Sequence, residues 1–348
     1  MVHSIPIRNI YYFLAYAWDC LEESRIVEVS RTDFKEIADL MAHVLINGMK
    51  HLLRHGLDRG YRETIEETIC LRGRIDLDAS IRRYLLPRAR AVCRFDDFDH
   101  DILHNRILKT TIHRLSNVEN LDPKHRYELK KIHRCLRHVS EITLDRLVFR
   151  KVQLHRNNSF YAFLMNLCEL IEESILPEDE EGKSRFRDFF RDETRMPKLF
   201  ELFIFNFYRR EQGRYRVTRE IIDWDARSDD PEALWMLPQM RTDVTLRSPD
   251  RTVVIEIKYK QKSLQEYYGK ESFHSSNMYQ LFSYMKNLEA RGGKDSVAAG
   301  ILLYPTVSKS FSHKYTIQGH DIHVRTIDLD REWKEIHRDM LTMVGEAA

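Results

Sequence analysis

An aspartate, a glutamate and a lysine in the pattern D-x(12)-E-x-K occupy the segment RTDVTLRSPDRTVVIEIKYK, residues 241–260, as Asp243, Glu256 and Lys258. Metal-dependent hydrolysis of a phosphodiester needs these residue types gathered in one place. Carboxylates are hard oxygen donors for Mg²⁺, which also keeps waters and takes phosphate oxygens. The ion makes a bound water acidic and neutralises charge on the phosphate. A neighbouring lysine can orient or deprotonate the attacking water and stabilise developing charge. The local sequence brings the three together. Two runs of alternating apolar residues flank Ser248-Pro249-Asp250, a turn signal, so the segment predicts a β-hairpin. With Pro249-Asp250 as a two-residue turn, residue 247 faces 252, 245 faces 254, and Asp243 faces Glu256. Opposed Cβ atoms would then lie about 4.5–5.5 Å apart. Like charges so placed are destabilising unless a cation lies between them. A longer loop would slip this register. Period-2 alternation puts Glu256 and Lys258 on one face and sends Val253, Ile255 and Ile257 toward a core. The bland alternative is a solvated charged stripe on an edge strand.

Positioning these groups falls to the flanking elements. MPKLFELFIFNFYRRE (196–211) is apolar nearly all round and predicts a buried helix. Glu201 is alone inside its apolar run Leu199–Phe205 and needs a partner. Two readings stand: an acid that assists the metal, or a glutamate paired with Lys198. FHSSNMYQLFSYMKNLEA predicts a helix over about 276–290, with Gln280 and Tyr284 on one face at i, i+4. A half-buried tyrosine in a core-facing helix is the competing reading. Strands follow at 298–305, 313–318 and 322–329, then a helix over about 331–343. This order of helix, two strands, helix, strands and helix is an α/β unit around a mixed sheet. The chain before it reads as mixed α+β. A helix starts after Asn9 as N-cap, and a second runs from about 33 to 55. Strands or extended arms fill 61–98 around Gly73, and helices follow at 101–116, 123–139 and 160–175. PEDEEGKS (177–184) predicts a surface loop. We place the domain boundary at 157/158.

Composition narrows the function classes. At 348 residues the chain accommodates two cores, and a net charge of +2 does not by itself announce a nucleic-acid binder. Local basic runs must supply any DNA contact. The series Arg72, Arg74, Arg82, Arg83, Arg88, Arg90 and Arg94 could meet phosphates or an acidic partner, or form a solvated surface. No apolar run reaches the ~18–20 residues of a membrane span, and MVHSIPIRNIYYF lacks the layout of a signal peptide. Five dispersed cysteines without a C-x-x-C pair argue for reduced thiols and a cytoplasmic setting. Asp99, His100, Asp101 and His104 have i, i+4 metal spacing but no HExxH, and read as a polar helix start. GxSxG is absent. So is GxxxxGK[ST], since Gly292-Gly293-Lys294 lacks both its first glycine and its Ser/Thr. Any nucleotide-driven motor must be another subunit.

The hairpin resembles the PD-(D/E)xK nucleases, with Thr242-Asp243 where the superfamily has Pro-Asp and Glu256-Ile257-Lys258 as the second half. Gln280-Leu-Phe-Ser-Tyr284 is similar to the QxxxY motif of RecB-type members. Further segments resemble the McrC family, the nuclease subunits of McrBC modified-cytosine restriction systems: IPIRNIYYFLAYAW (5–18), LRGRID (71–76), DILHNRILK (101–109) and HSSNMYQLFSY (274–284). The resemblance spans nearly the full length. It implies a restriction-endonuclease-like C-terminal sheet in residues 158–348 and a motor-docking region in 1–157. Asp243, Glu256 and the Ile257 carbonyl would hold Mg²⁺, with Mn²⁺ able to substitute. Glu201 would assist, Lys258 would act on water, and Gln280 and Tyr284 would support DNA or the acids. The implied partners are a hexameric AAA+ GTPase of the McrB type, which binds the GTP and reads the modified base, double-stranded DNA, and a second copy of the complex. Two other readings compete: a non-catalytic activator of an AAA+ NTPase, and a stand-alone RecB-like nuclease.

Overall fold

The computed structural model describes residues 5–26, 34, 36–155, 158–177, 184–187, 195–259, 264–267, 270–306 and 310–346. The chain forms two compact units. One joins Met1–Leu21 to Asp188–Ala348, and the other is Glu22–Arg187. This division differs from the boundary expected at 157/158, and packing explains why. Helix Ile7–Ala17 lies on helix Met196–Glu211, far along the chain, whereas helix Ser159–Ser174 lies on helix Leu103–Ser116. Most of the acidic segment 177–184 lies outside the described residues.

The first unit is built on a six-stranded mixed sheet. Its order is Ser312–Ile317, His320–Ile327, Ala299–Pro305, Thr252–Ile257, Val244–Arg247, Arg216–Thr218. Thr252–Ile257 is therefore an interior strand, parallel to Ala299–Pro305 and antiparallel to Val244–Arg247. All six of its residues are buried. That fits TVVIEI, a nearly continuous apolar run of the kind found where both faces of a sheet are covered. On one face, Leu281, Tyr284, Met285 and Leu288 of helix Ser275–Arg291 join Val254, Leu302 and Val324 in a core cluster. Gly300 lies directly beneath this helix, where an added Cβ would sit 3.0 Å from Leu281. Side-chain alternation sends Val253, Ile255 and Ile257 to the opposite face.

Helix Ile7–Ala17 begins three residues earlier than expected, with Pro6 before its first turn. Asn9 is thus not its N-cap. It is buried inside the first turn, and its Nδ2 donates to the Leu329 and Arg331 carbonyls at 2.9 and 2.6 Å. An asparagine beside a prolyl turn looks like a cap in sequence, and only the distant loop shows that its donors are needed elsewhere. Phe13 packs against Phe203 with ring centroids 5.0 Å apart, and Asn206 Nδ2 donates to the Tyr16 and Ala17 carbonyls. Tyr208, fully buried, donates to the Met340 carbonyl of the last helix, Trp333–Glu346.

The second unit combines helices Ile37–His55, Leu103–Ser116, Pro123–Cys135 and Ser159–Ser174 with a three-stranded antiparallel sheet. The order of that sheet is Gly60–Thr68, Ala91–Asp99, Arg74–Asp76. It realises the extended arms expected over 61–98. The LRGRID segment forms its crossover. Gly73 has φ +64°, and a Cβ there would lie 2.4 Å from the Arg94 carbonyl oxygen, so a side chain is excluded twice over. Asp76 accepts from the Ala79 amide and caps helix Leu77–Arg82.

The Asn9→Ala variant strands two carbonyl acceptors, so the unfolding free energy should fall by about 1–3 kcal/mol. Urea titration of the full chain measures it.

Candidate active site

The site grows from the end of a β-ladder. Strand Val244–Arg247 pairs with Thr252–Ile257 in the register Arg247↔Thr252 to Val244↔Ile255, and the Ser248 amide donates to the Arg251 carbonyl around Pro249-Asp250. The two-residue turn and its register are those expected from sequence. Backbone pairing stops one residue short of Asp243, and the Asp243 side chain continues it: Oδ2 accepts the Ile257 amide at 2.7 Å. Thr242 fixes the backbone here, donating its amide to the Glu220 carbonyl and sharing a 2.8 Å hydroxyl bond with Thr245. Asp243 is thereby aimed at the strand that bears Glu256.

Glu256 is 1% exposed, which removes the edge-strand reading. Its Oε1 accepts from Lys258 Nζ at 2.7 Å. Its buried Oε2 has no hydrogen-bond partner among the described residues. Lys258 is held from two sides. Its amide donates to the Leu303 carbonyl, and its Nζ donates to Gln280 Oε1 at 2.9 Å as well as to Glu256. Gln280 Nε2 donates in turn to the Tyr284 hydroxyl, which donates to the Arg241 carbonyl at 3.0 Å. The core-facing reading of Tyr284 holds, and Gln280 meets the lysine. Tyr284 is a buried core residue whose hydroxyl anchors Gln280, and Gln280 fixes the lysine.

Burial raises the Glu256 pKa to about 7, with the Asp243 charge adding to the rise and Lys258 opposing it. Burial also raises Asp243, to about 6, although the Ile257 amide pulls it down. An unpartnered buried oxygen beside a second carboxylate is a donor set short of a cation. Both side-chain donors are carboxylate oxygens, which suits Mg²⁺ or Mn²⁺.

These groups line an open cleft of about 780 Å³. Glu201 lies in its wall and pairs with Arg219 at 2.9 Å, a partner the sequence did not indicate in place of Lys198. Lys198, Arg219 and Arg241 give the cleft cationic walls. Sequence reasoning passed over the two arginines because no spacing marks them out among 56 Lys and Arg residues.

The remaining sequence candidates take structural parts. Asp101 accepts two bonds from Arg106 at 2.8 Å and two from Ser140, while His104 faces Asp58 at 3.3 Å. The Asp99–His104 group does not converge on a metal site. Of the arginine series, Arg72, Arg82, Arg90 and Arg94 pair with Glu66, Asp78, Glu67 and Glu63 on an exposed surface.

Residues 8–305 match the family model described as "McrBC 5-methylcytosine restriction system component". The chain belongs to the McrC family of McrBC restriction components. It is 34% identical over 342 residues to the Escherichia coli K12 protein named "Type IV methyl-directed restriction enzyme EcoKMcrBC", covering 98% of each chain. A Thermococcus gammatolerans assembly of McrB AAA+ hexamers with bound McrC contains a similar chain. The overlay has a TM-score of 0.58 at 17% identity and covers 97% of this chain and 76% of that one. It shows a shared fold, and the mixed helix-and-sheet architecture agrees with the expected α/β class.

The raised carboxyls contribute to the pH dependence of stability. In the unfolded chain they titrate near 3.8 and 4.5, and in the folded chain near 6 and 7. Between about pH 4 and 7 the folded state binds more of these protons, so their contribution to stability falls as pH rises. In chelator at pH 8, Glu256→Gln should melt above the wild type, by roughly 2–4 °C per kcal/mol of repulsion relieved. It should also flatten the decline in melting temperature between pH 5 and 8. Scanning calorimetry at the two pH values checks both.

Proposed function

We propose that this chain is the Mg²⁺-dependent DNA endonuclease subunit of a GTP-driven, modified-cytosine-dependent restriction complex. One observation carries the reading: the unpartnered Glu256 Oε2 buried beside Asp243, with Lys258 held in reach by Gln280. Membership of the McrC family supports a nuclease role and supplies the restriction context.

Asp243, Glu256 and the Ile257 carbonyl would hold the ion, with Glu201 available at the wall. Bound there, Mg²⁺ supplies polarisation of the phosphate and a more acidic water. Lys258 is oriented by Gln280 and carries the positive charge that orients the nucleophilic water and offsets charge developing on the phosphate. Gln280 keeps the ammonium in position when Glu256 turns its charge to a cation. Lys198, Arg219 and Arg241 offer phosphate-backbone contacts, which fix position without reading sequence. One such cleft cuts one strand, so a double-strand break takes a second copy of the complex.

The partner in this reading is a hexameric AAA+ GTPase of the McrB type, which binds GTP, reads the modified base and is stimulated by this chain. A solved relative is described as McrC bound to McrB hexamers, which supports that assignment. We assign docking to the region before residue 158. Its three-stranded sheet exposes Tyr61, Ile65 and Phe98 among charged residues, and such exposed apolar groups suit a protein partner. We place the complex in the cytoplasm, with double-stranded DNA as substrate.

The test reconstitutes the chain with its GTPase on methylated plasmid. Asp243→Ala and Lys258→Ala should each lower the cleavage rate at least about 10²-fold, while GTP turnover stays stimulated. Wild-type cutting by both variants overturns the site. If the wild type cuts no DNA but raises GTP turnover, the chain is a non-catalytic activator. Gln280→Ala should slow cleavage by about 10–100-fold while leaving DNA affinity, read by fluorescence anisotropy, unchanged.

A further inference from the structure

We infer that His113, His133 and Glu141 form a second metal site, in the Glu22–Arg187 unit, for a transition ion of the Zn²⁺ class. The three residues come from three segments. His113 is in the last turn of helix Leu103–Ser116, His133 is in the last turn of helix Pro123–Cys135, and Glu141 is in the stretch that follows. His113 Nδ1 lies 2.7 Å from one oxygen of Glu141, and His133 Nε2 lies 2.8 Å from the other. All ligand atoms fall within 4.8 Å of one another. The imidazoles stand 5.2 Å apart with both nitrogens turned on one carboxylate.

Zinc bonds to nitrogen and carboxylate oxygen are about 2.0–2.2 Å long, so tetrahedral ligands stand about 3.3–3.6 Å apart. Each imidazole nitrogen needs to part from its carboxylate oxygen by less than about 1 Å to admit an ion. Two imidazoles and one carboxylate form a three-ligand zinc set with a fourth position left for water. All three side chains are partly exposed, which gives that position access to solvent.

The backbone carrying Glu141 is fixed on both sides. Ser140 donates its amide and hydroxyl to Asp101, itself held by Arg106, and the Ile142 amide donates to the Thr110 hydroxyl. Lys109 Nζ donates to the Val139 carbonyl at 2.6 Å. Four anchors thus tie this stretch to the helix that bears His113 or to the residues leading into it. The ligands are preorganised, and ordering them for an ion loses little entropy. Nitrogen donors also separate this site from the all-oxygen cleft, since imidazole favours Zn²⁺ and its neighbours over Mg²⁺. A bound ion would clamp the Glu141 stretch to the ends of both helices.

The experiment titrates Zn²⁺ into the full chain against a chromophoric chelator, and Co²⁺ with its visible absorption as readout. Wild type and Glu256→Gln, which disables the nuclease cleft, should bind Zn²⁺ alike and show the Co²⁺ band of a four- or five-coordinate site. His113→Gln, His133→Gln and Glu141→Gln should each weaken Zn²⁺ binding at least ten-fold and lose the band. These positions are partly exposed, so the metal-free melting temperatures should match the wild type, and Zn²⁺ should raise that of the wild type but not of the three variants. Zn²⁺ affinity unchanged in the histidine variants, or abolished by Glu256→Gln, overturns the assignment. So does absence of the Co²⁺ band from the wild type.

Discussion

Two carboxylates held together at the end of a β-ladder set the terms for the surrounding structure. A buried ionised group is tolerated only with partners. Here Asp243 has the Ile257 amide, Glu256 has Lys258 on one oxygen, and the other oxygen has no hydrogen-bond partner among the described residues. The raised pKa of each acid expresses this deficit in protons, and a divalent cation would satisfy the same deficit in charge. Ionisation of both acids is therefore costly in the folded chain, and burial is the largest cause for each.

Holding such a pair in place requires rigidity, and the fold supplies it from several directions. The strand bearing Glu256 is flanked by neighbours on both edges and all six of its residues are buried, so the backbone that carries Glu256 is fixed. Thr242 and Thr245 fix the turn into the preceding strand. Helix Ser275–Arg291 approaches closely over Gly300 and delivers Gln280 to the lysine. From there the hydrogen-bond chain runs through Tyr284 to the Arg241 carbonyl, two residues before Asp243, and closes on the hairpin itself. The tyrosine of the QxxxY motif acts at one remove, as the support of the glutamine. Placing a charged group on such packed elements gives more accurate geometry than a loop would.

The family-like segments outside the cleft have equally physical roles. Asn9 in IPIRNIYYFLAYAW stitches the first helix to the loop before the last one. In DILHNRILK, Asp101 gathers Arg106 and Ser140, while Asn105 Nδ2 donates to the Asp58 and His100 carbonyls. Gly73 in LRGRID sits where no side chain fits. These motifs mark buried polar bonds and tight backbone, which tolerate few alternatives. Their recurrence with the nuclease hairpin is why the family was legible from residues alone.

The sequence by itself determined whatever depends on local periodicity. The two-residue turn, the strand register, the buried helix at 196–211 and the i, i+4 pairing of Gln280 with Tyr284 all follow from spacing within about twenty residues. Asp243, Glu256 and Lys258 were legible because a hairpin joins them locally. Tertiary structure decided what depends on meetings between distant segments. It made the site strand interior rather than edge, paired Glu201 with Arg219, and placed helix Ile7–Ala17 with the C-terminal unit. It also turned His113 and His133 onto Glu141. No local pattern encodes these, because the free energy that selects them comes from packing separate elements against one another, whether 8 residues apart, as His133 and Glu141, or 190, as Tyr16 and Asn206.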